Sequence, residues 1–278
     1  MIGGGSTGCE LGQAFARLGS QVTLAVRSGV LRAEDAEAAR VVESSLVRDG
    51  ITIVRDTPDF RGFDALLLAT GRLPNVEALN LEAAGVDFEA KKGIAVDDYL
   101  RTTNKRIYAA GDVVNLPFML TNAADAMARL IIRNALFPSK GRMSTQLIPW
   151  TTYTDPELGQ IGPTEEKARE LNQSVAVYRQ DFADVDRAAT DSAAGFVKVL
   201  ARRDRIVGAT IVGPHAGELI GTLSVAVTNG IGLKKLANTV FAYPTLTEVI
   251  RRTADQYNRT RLTPRAKRLI GTWLRWFR

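Results

Sequence analysis

The sequence has one cysteine and one histidine in 278 residues. A single thiol, Cys9, excludes an internal disulfide, a dithiol redox pair and a cysteine-based metal cluster. A single imidazole, His215, excludes a multi-histidine metal site, and a conventional Ser-His-Asp triad unless His215 itself serves. No metal site is therefore expected. No apolar run reaches the length of a membrane span, and no basic-then-apolar leader opens these residues, so the expectation is a reduced, cytoplasmic protein. Low complexity is also lacking. Apolar residues make up 45% and charged residues 24%, which are globular values, and the length suits one large domain or two ordinary ones.

The net charge of +6 is local rather than general. Residues 251–278 hold nine Arg or Lys and one acid, Asp255, a balance of +8, so the preceding 250 residues carry −2. A nucleic-acid partner for the whole chain is not expected on that ground.

Glycine is what the sequence does have, at telling places. Gly3-x-Gly5-x-x-Gly8, extended by Gly12, is a dinucleotide fingerprint in which missing side chains let the backbone approach a pyrophosphate. Ser6 lies inside it. Such a fingerprint follows a strand, and only Met1 and Ile2 precede it here, which suggests an abbreviated beginning. Residues 9–18 read as a helix, 21–26 as a buried strand, 34–49 as an amphipathic helix and 51–54 as another strand, a β-α-β-α-β pattern that implies a parallel sheet. Asp64 to Leu68 and Ile107 to Ala110 read as further strands. The first ends at Gly71 and the second at Gly111-Asp112. A helix is expected over 121–137.

From Trp150 the character changes to an α+β pattern. Residues 175–178, 195–201 and 206–212 read as antiparallel strands, the last two joined at Asp204-Arg205. Residues 164–171, 215–229 and 233–238 read as helices, and a boundary is expected near residue 147. Thr245 and Glu248 have the spacing of a capping box.

Several side chains point to chemistry. An NAD site usually places an acid after the second strand. Here Arg27, followed by Arg32, occupies that region and suits a 2′-phosphate, which favours NADPH. Asp112 stands at a strand end, where it can accept hydrogen bonds from a polyol. Cys9 reads as a small packing residue and His215 as a helix-start residue.

Together GGGSTGCELG, VTLAVR, LLLATGR, IYAAGD, TDPELGQIG and YPTLTE, in that order, resemble the flavin- and pyridine-nucleotide-dependent disulfide oxidoreductases. QAFARLGSQVTLAVR and GPHAGELI resemble the mercuric-reductase-like branch in particular. The resemblance implies a Rossmann-like NAD(P)-binding portion over 1–63, the C-terminal part of an FAD-binding domain over 64–146, and an interface domain over 147–260 that forms a homodimer. It implies that Gly3, Gly5 and Gly8 hold NADPH and that Glu10 lies near the nicotinamide. Arg27 and Arg32 would match the arginines of NADPH-preferring members. Gly71 would lie at the return to the flavin domain, Asp112 on the FAD ribitol and Thr121 near the flavin ring. Tyr243 takes the place of a catalytic histidine, and Glu248 that of its orienting glutamate. The implied activity passes a hydride from NADPH to FAD and on to a disulfide, a metal ion or another small acceptor.

The departures are specific. The family's redox cysteine pair and first FAD domain are absent, so the chain reads as incomplete, with a missing N-terminal FAD half as an expected partner. A small β-meander of the family is replaced by a short turn at Asp56-Thr57-Pro58-Asp59. The alternatives are a flavin-free NADPH-binding protein and a non-enzymatic dimerising remnant. Residues 261–278 extend beyond the family pattern as a basic helix with an apolar face of Leu269, Ile270, Trp273, Leu274 and Phe277. Docking on the protein itself or a dimer partner is preferred over peripheral contact with an anionic membrane, because Gly271 is expected to interrupt the helix.

Overall fold

A computed structural model describes residues 1–55, 59 and 61–276. The expected turn at Asp56-Thr57-Pro58 and the apolar Phe277 lie outside the described residues. The chain forms two compact units, one of Met1–Ala69 with Pro149–Arg278 and one of Thr70–Ile148.

The first stretch of the larger unit is a reduced Rossmann arrangement. Helix α1 (Ser6–Arg17) leads to strand β1 (Thr23–Ala25), helix α2 (Ala36–Arg48) and strand β2 (Thr52–Val54). Strands β1 and β2 pair in parallel, Thr23 opposite Thr52. Ile2 extends the sheet through parallel bridges to Ala25 on one side and Leu68 on the other. The expected strand over 64–68 thus shrinks to one bridge. The pairing there consists of Ile2 N–H on Leu67 O and Ala69 N–H on Ile2 O. Asp35 caps α2, accepting from the amides of Glu37 and Ala38. Cys9, Leu24, Val42 and Leu46 fill the space between helices and sheet.

The smaller unit has little ladder. Strands β3 (Phe88–Glu89) and β4 (Gly93–Ile94) form a two-residue hairpin pair, and helix α3 (Thr121–Leu136) packs Ala123, Met127 and Leu130 into its core. The expected strand over 107–110 is a single antiparallel bridge, Tyr108 to Arg101. Among the described residues no other strand lies alongside, so the segment stays extended without becoming a sheet member.

The remainder of the larger unit is the α+β part. Strands β5 (Trp150–Thr152) and β6 (Glu157–Ile161) precede helix α4 (Glu165–Glu170). Then come β7 (Ala176–Asp181), helix α5 (Asp186–Thr190), β8 (Phe196–Arg202) and β9 (Arg205–Gly213). The antiparallel sheet runs β5-β6-β9-β8-β7. The β8–β9 turn is Arg203-Asp204, one residue earlier than expected, because Arg202 pairs with Arg205. Helices α6 (Ala216–Thr228), α7 (Leu233–Ala237) and α8 (Glu248–Thr260) supply Leu219, Leu223, Leu236 and Val249 to the core against that sheet. Leu158, Phe196 and Val212 reach the other core, so this sheet and the Rossmann helices share apolar contacts.

The last helix, α9 (Pro264–Trp276), is continuous through Gly271 and buries no residue. The continuity through Gly271 differs from expectation, as does the lack of docking on the described residues of the chain itself. An exposed helix tolerates a glycine at modest cost in propensity. Among the described residues no helix is long and apolar enough to cross a membrane.

Candidate functional site

In the larger unit the glycine run makes a turn that side chains would fill. A Cβ on Gly8 would stand 1.9 Å from the Gly3 carbonyl oxygen, and one on Gly4 would stand 2.6 Å from Gly29 O. A Cβ on Gly5 would meet nothing within 4 Å, so that position opens outward. Gly5 is the N-cap of α1 and offers no side-chain cap. Among the described residues the N–H groups of Ser6, Thr7 and Gly8 have no acceptor, the first helical bond being Cys9 N–H to Gly5 O. A helix start with free amides and a positive dipole end is suited to an anion.

The loop after β1 is tied to this turn. The Leu31 amide donates to Gly4 O at 2.7 Å, and Leu31 adopts φ +47 to do so. Arg27 and Arg32 therefore stand on the loop bordering the helix start. Both are exposed, and among the described residues neither guanidinium has an ion-pair or hydrogen-bond partner. Arg32, with Arg40, Arg55, Glu34 and Glu43, lines a shallow surface cavity of about 250 Å³.

Two residues of α1 face the α+β part. Glu10 Oε1 accepts from the Tyr153 amide at 2.8 Å, and buried Gln13 exchanges hydrogen bonds with the Asp155 backbone. Cys9 is fully buried and its Sγ contacts Gly4 O. Burial, assisted by the charges of Glu10 and Glu43, pushes its thiol up to about 12. It packs; it is not a nucleophile at neutral pH.

The smaller unit gathers the second group by itself. Gly71 and Gly111 have φ of +134 and +80. A Cβ on Gly111 would lie 3.6 Å from Ala124, which places Gly111 against the first turn of α3. Asp112 follows, exposed, with Oδ2 3.9 Å from Arg72 Nη1. Thr121 opens α3, whose N-cap, Leu120, has no side chain able to cap it. A carboxylate beside an uncapped helix start can accept hydroxyl protons while the helix end favours a neighbouring phosphate.

At the start of α8 the structure does not hydrogen-bond Tyr243 to Glu248. Tyr243 is 70% exposed and its hydroxyl donates to Asp186 Oδ2 at 2.7 Å. That bond, followed by the charge of Asp186, pushes the phenol above its ordinary value of 10.0. Glu248 is buried. Its Oε1 accepts from Arg251 and Arg252 at 3.0 Å, while its Oε2 has no hydrogen-bond partner among the described residues. Arg252 also donates to Asp184 O, two residues before Asp186. The expected capping box is absent: Thr247 is the N-cap, and Thr245 Oγ1 turns back to Ala242 O. Glu248 spends its carboxylate on arginines, so no capping contact forms. His215, at φ +57, is the residue before α6.

Asp186 carried no signal in the sequence, since its partner Tyr243 lies 57 residues away. The same holds for Lys198, which is buried at Asp35 across 163 residues. The role of Gly4 was more legible, standing inside the Gly3-Gly4-Gly5 run.

Three family models match along the chain. Two described as pyridine nucleotide-disulphide oxidoreductase cover residues 1–58 and 60–128, and one described as the dimerisation domain of the same group covers residues 148–254. Dihydrolipoyl dehydrogenase of Haloferax volcanii is 32% identical over 92% of this chain and 59% of its own length. Mercuric reductase of Acidithiobacillus ferrooxidans is 32% identical over 93% of this chain and 51% of its own. The chain thus spans about half to three fifths of the length of the curated relatives it matches. Among solved structures, LpdA of Mycobacterium tuberculosis aligns with a TM-score of 0.81 at 30% identity, covering 92% of this chain and 60% of that one. The HOCl-induced flavoprotein disulfide reductase RclA of Escherichia coli aligns with a TM-score of 0.82 at 25% identity, covering 91% and 64%.

Proposed function

The chain belongs to the pyridine nucleotide-disulphide oxidoreductases, whose members use FAD and NAD(P)H, and from that premise we propose that it binds NADPH at the start of α1 and contributes part of a flavin cradle. The observation that carries the reading is a helix start with three free amides beside a loop that bears Arg27 and Arg32, both exposed and without a partner among the described residues. The glycine positions fit a dinucleotide. Gly4 and Gly8 close the turn where any Cβ would collide with backbone, and Gly5 leaves the outer side open. The amides of Ser6, Thr7 and Gly8 would donate to the pyrophosphate, and Arg27 and Arg32 would pair with the 2′-phosphate. Glu10 holds the Tyr153 backbone in place beside this helix. In the smaller unit Asp112 would accept from ribitol hydroxyls. Gly71 and Gly111 shape the chain there, and Thr121 would stand near the ring.

When bound, NADPH and FAD supply the hydride transfer that the chain's own side chains cannot. Tyr243 is held protonated on Asp186 and would serve as a proton donor in the partner's site of a homodimer built by the dimerisation domain. Glu248 acts behind it as a positioning residue through Arg252 and Asp184 O. The final acceptor would be a small molecule, a disulfide or a metal ion. A buried lone cysteine favours a second reading, a flavin-free NADPH-binding dimer, because this chain supplies no dithiol.

The test is an absorption spectrum of the purified chain after incubation with FAD and desalting, followed by titration with NADPH and NADH. Retained flavin bands that bleach with NADPH support the first reading. NADPH binding without flavin supports the second. Absence of nucleotide binding, or a preference for NADH, overturns both.

A further inference from the structure

We propose that α9 is an interfacial helix that seats this protein on an anionic lipid surface. The helix start is capped locally. Thr263 Oγ1 accepts from the Ala266 amide at 3.2 Å, Thr263 O accepts from Lys267 N–H, and Pro264 fills the first helical position, where its missing N–H costs nothing. At roughly 100° per residue, Leu269, Ile270, Trp273, Leu274 and Trp276 fall within one arc of roughly 160°. Arg265, Lys267, Arg268 and Arg275 fall in the opposite arc, the first two at its borders.

All five apolar side chains are exposed, Trp276 at 85%, and no residue of the helix is buried. An apolar face of this kind left in water is unfavourable and signals a surface that covers it. Charge selects the occupant. From Gln256 to the end of the chain there is no Asp or Glu, so the face is framed by cations alone. An apolar face with two exposed tryptophans, bordered by arginine and lysine, matches the boundary between acyl chains and anionic headgroups. A second copy of the same helix would instead bring like charges together.

The experiment is co-sedimentation of the intact chain with vesicles of phosphatidylcholine alone or mixed equally with phosphatidylglycerol, read together with tryptophan emission. Each base near an anionic surface is worth roughly fivefold in partitioning. The four on α9 therefore predict a preference for the anionic vesicles of about a hundredfold or more, weakening as salt rises. Emission should shift to the blue on binding. The double variant L269E/W273E should lose vesicle binding with an unchanged melting temperature, because α9 buries nothing. Equal binding to both vesicles, or no binding, overturns the proposal. So does a wild-type dimer that the double variant converts to monomer without any vesicle binding, since α9 would then be a contact between copies.

Discussion

Replacing Lys198 with methionine removes a charge from the junction of the α+β sheet and α2. Lys198 Nζ lies 3.0 and 2.9 Å from the two Asp35 oxygens, 3.0 Å from Glu37 and 3.9 Å from Glu165. The Lys198 and Asp35 side chains are 7% and 4% exposed. Burial disfavours the ammonium, but the hydrogen bonds it donates to Asp35 and Glu37 outweigh it and hold its pKa above the ordinary value. Methionine keeps most of the volume and leaves Asp35 buried without its cation. Breaking a buried pair on one side costs about 3–5 kcal/mol. Asp35 keeps two capping amides, at 3.0 and 3.2 Å, so the lower end applies. For a unit of this size ~3 kcal/mol corresponds to a fall in Tm of roughly 6–12 °C. Thermal unfolding followed by circular dichroism measures it. The companion variant D35N/K198M keeps a capping side chain and removes the stranded charge, so it should recover more than half of the loss. A fall below about 2 °C for K198M, or no recovery in the double variant, would refute the buried-pair argument.

Further outcomes follow from the same geometry. In R27A/R32A the advantage of NADPH over NADH in equilibrium titration should drop by at least about tenfold, as loss of a charge-assisted phosphate contact implies, with NADH affinity unchanged. In G8A the new Cβ must displace the Gly3 backbone, so nucleotide binding should vanish and stability should fall by about 1–3 kcal/mol, read by titration and by melting. Native Cys9 should resist a thiol reagent at pH 8 and react on denaturation. Its folded pKa is raised, so the stability it contributes is complete below its ordinary value of 9.0 and is lost as pH rises towards about 12. A melting series across that range should show the alkaline decline. In Y243F the chain should melt like the parent, because the hydroxyl is exposed; an appreciable shift in Tm would contradict that exposure.

Much of the architecture was legible from local chemistry. The glycine run marks a turn: Gly3 takes φ +118, a Cβ on Gly8 would collide with backbone and Gly5 leaves the outer side open, and the helices around Phe15, Val42 and Met127 follow from apolar spacing. In the α+β part β8 and β9 were legible within a residue, because their apolar runs are long enough to register; β7 runs on to Asp181, three residues past the expected end, and β5 and β6, in a stretch rich in Thr, Gly and Pro, were not read as strands. Strands over 64–68 and 107–110 were expected and do not form, because a strand is defined by its pairing, and among the described residues each makes a single bridge, Leu68 to Ile2 and Tyr108 to Arg101. Thr245 failed as a cap because Glu248 was already engaged by Arg251 and Arg252, a competition invisible in spacing.

By itself the sequence determined the family, the order of the motifs and the lack of a second thiol, all of which rest on residue identity and short spacing. Only the tertiary structure decided which groups have partners. Among the described residues it left Arg27 and Arg32 without ion-pair partners while engaging Lys198, gave Tyr243 to Asp186, raised the Cys9 thiol by burial and buried no residue of α9. Burial and pairing depend on residues brought together from opposite ends of the chain, and a one-dimensional pattern carries no such distance.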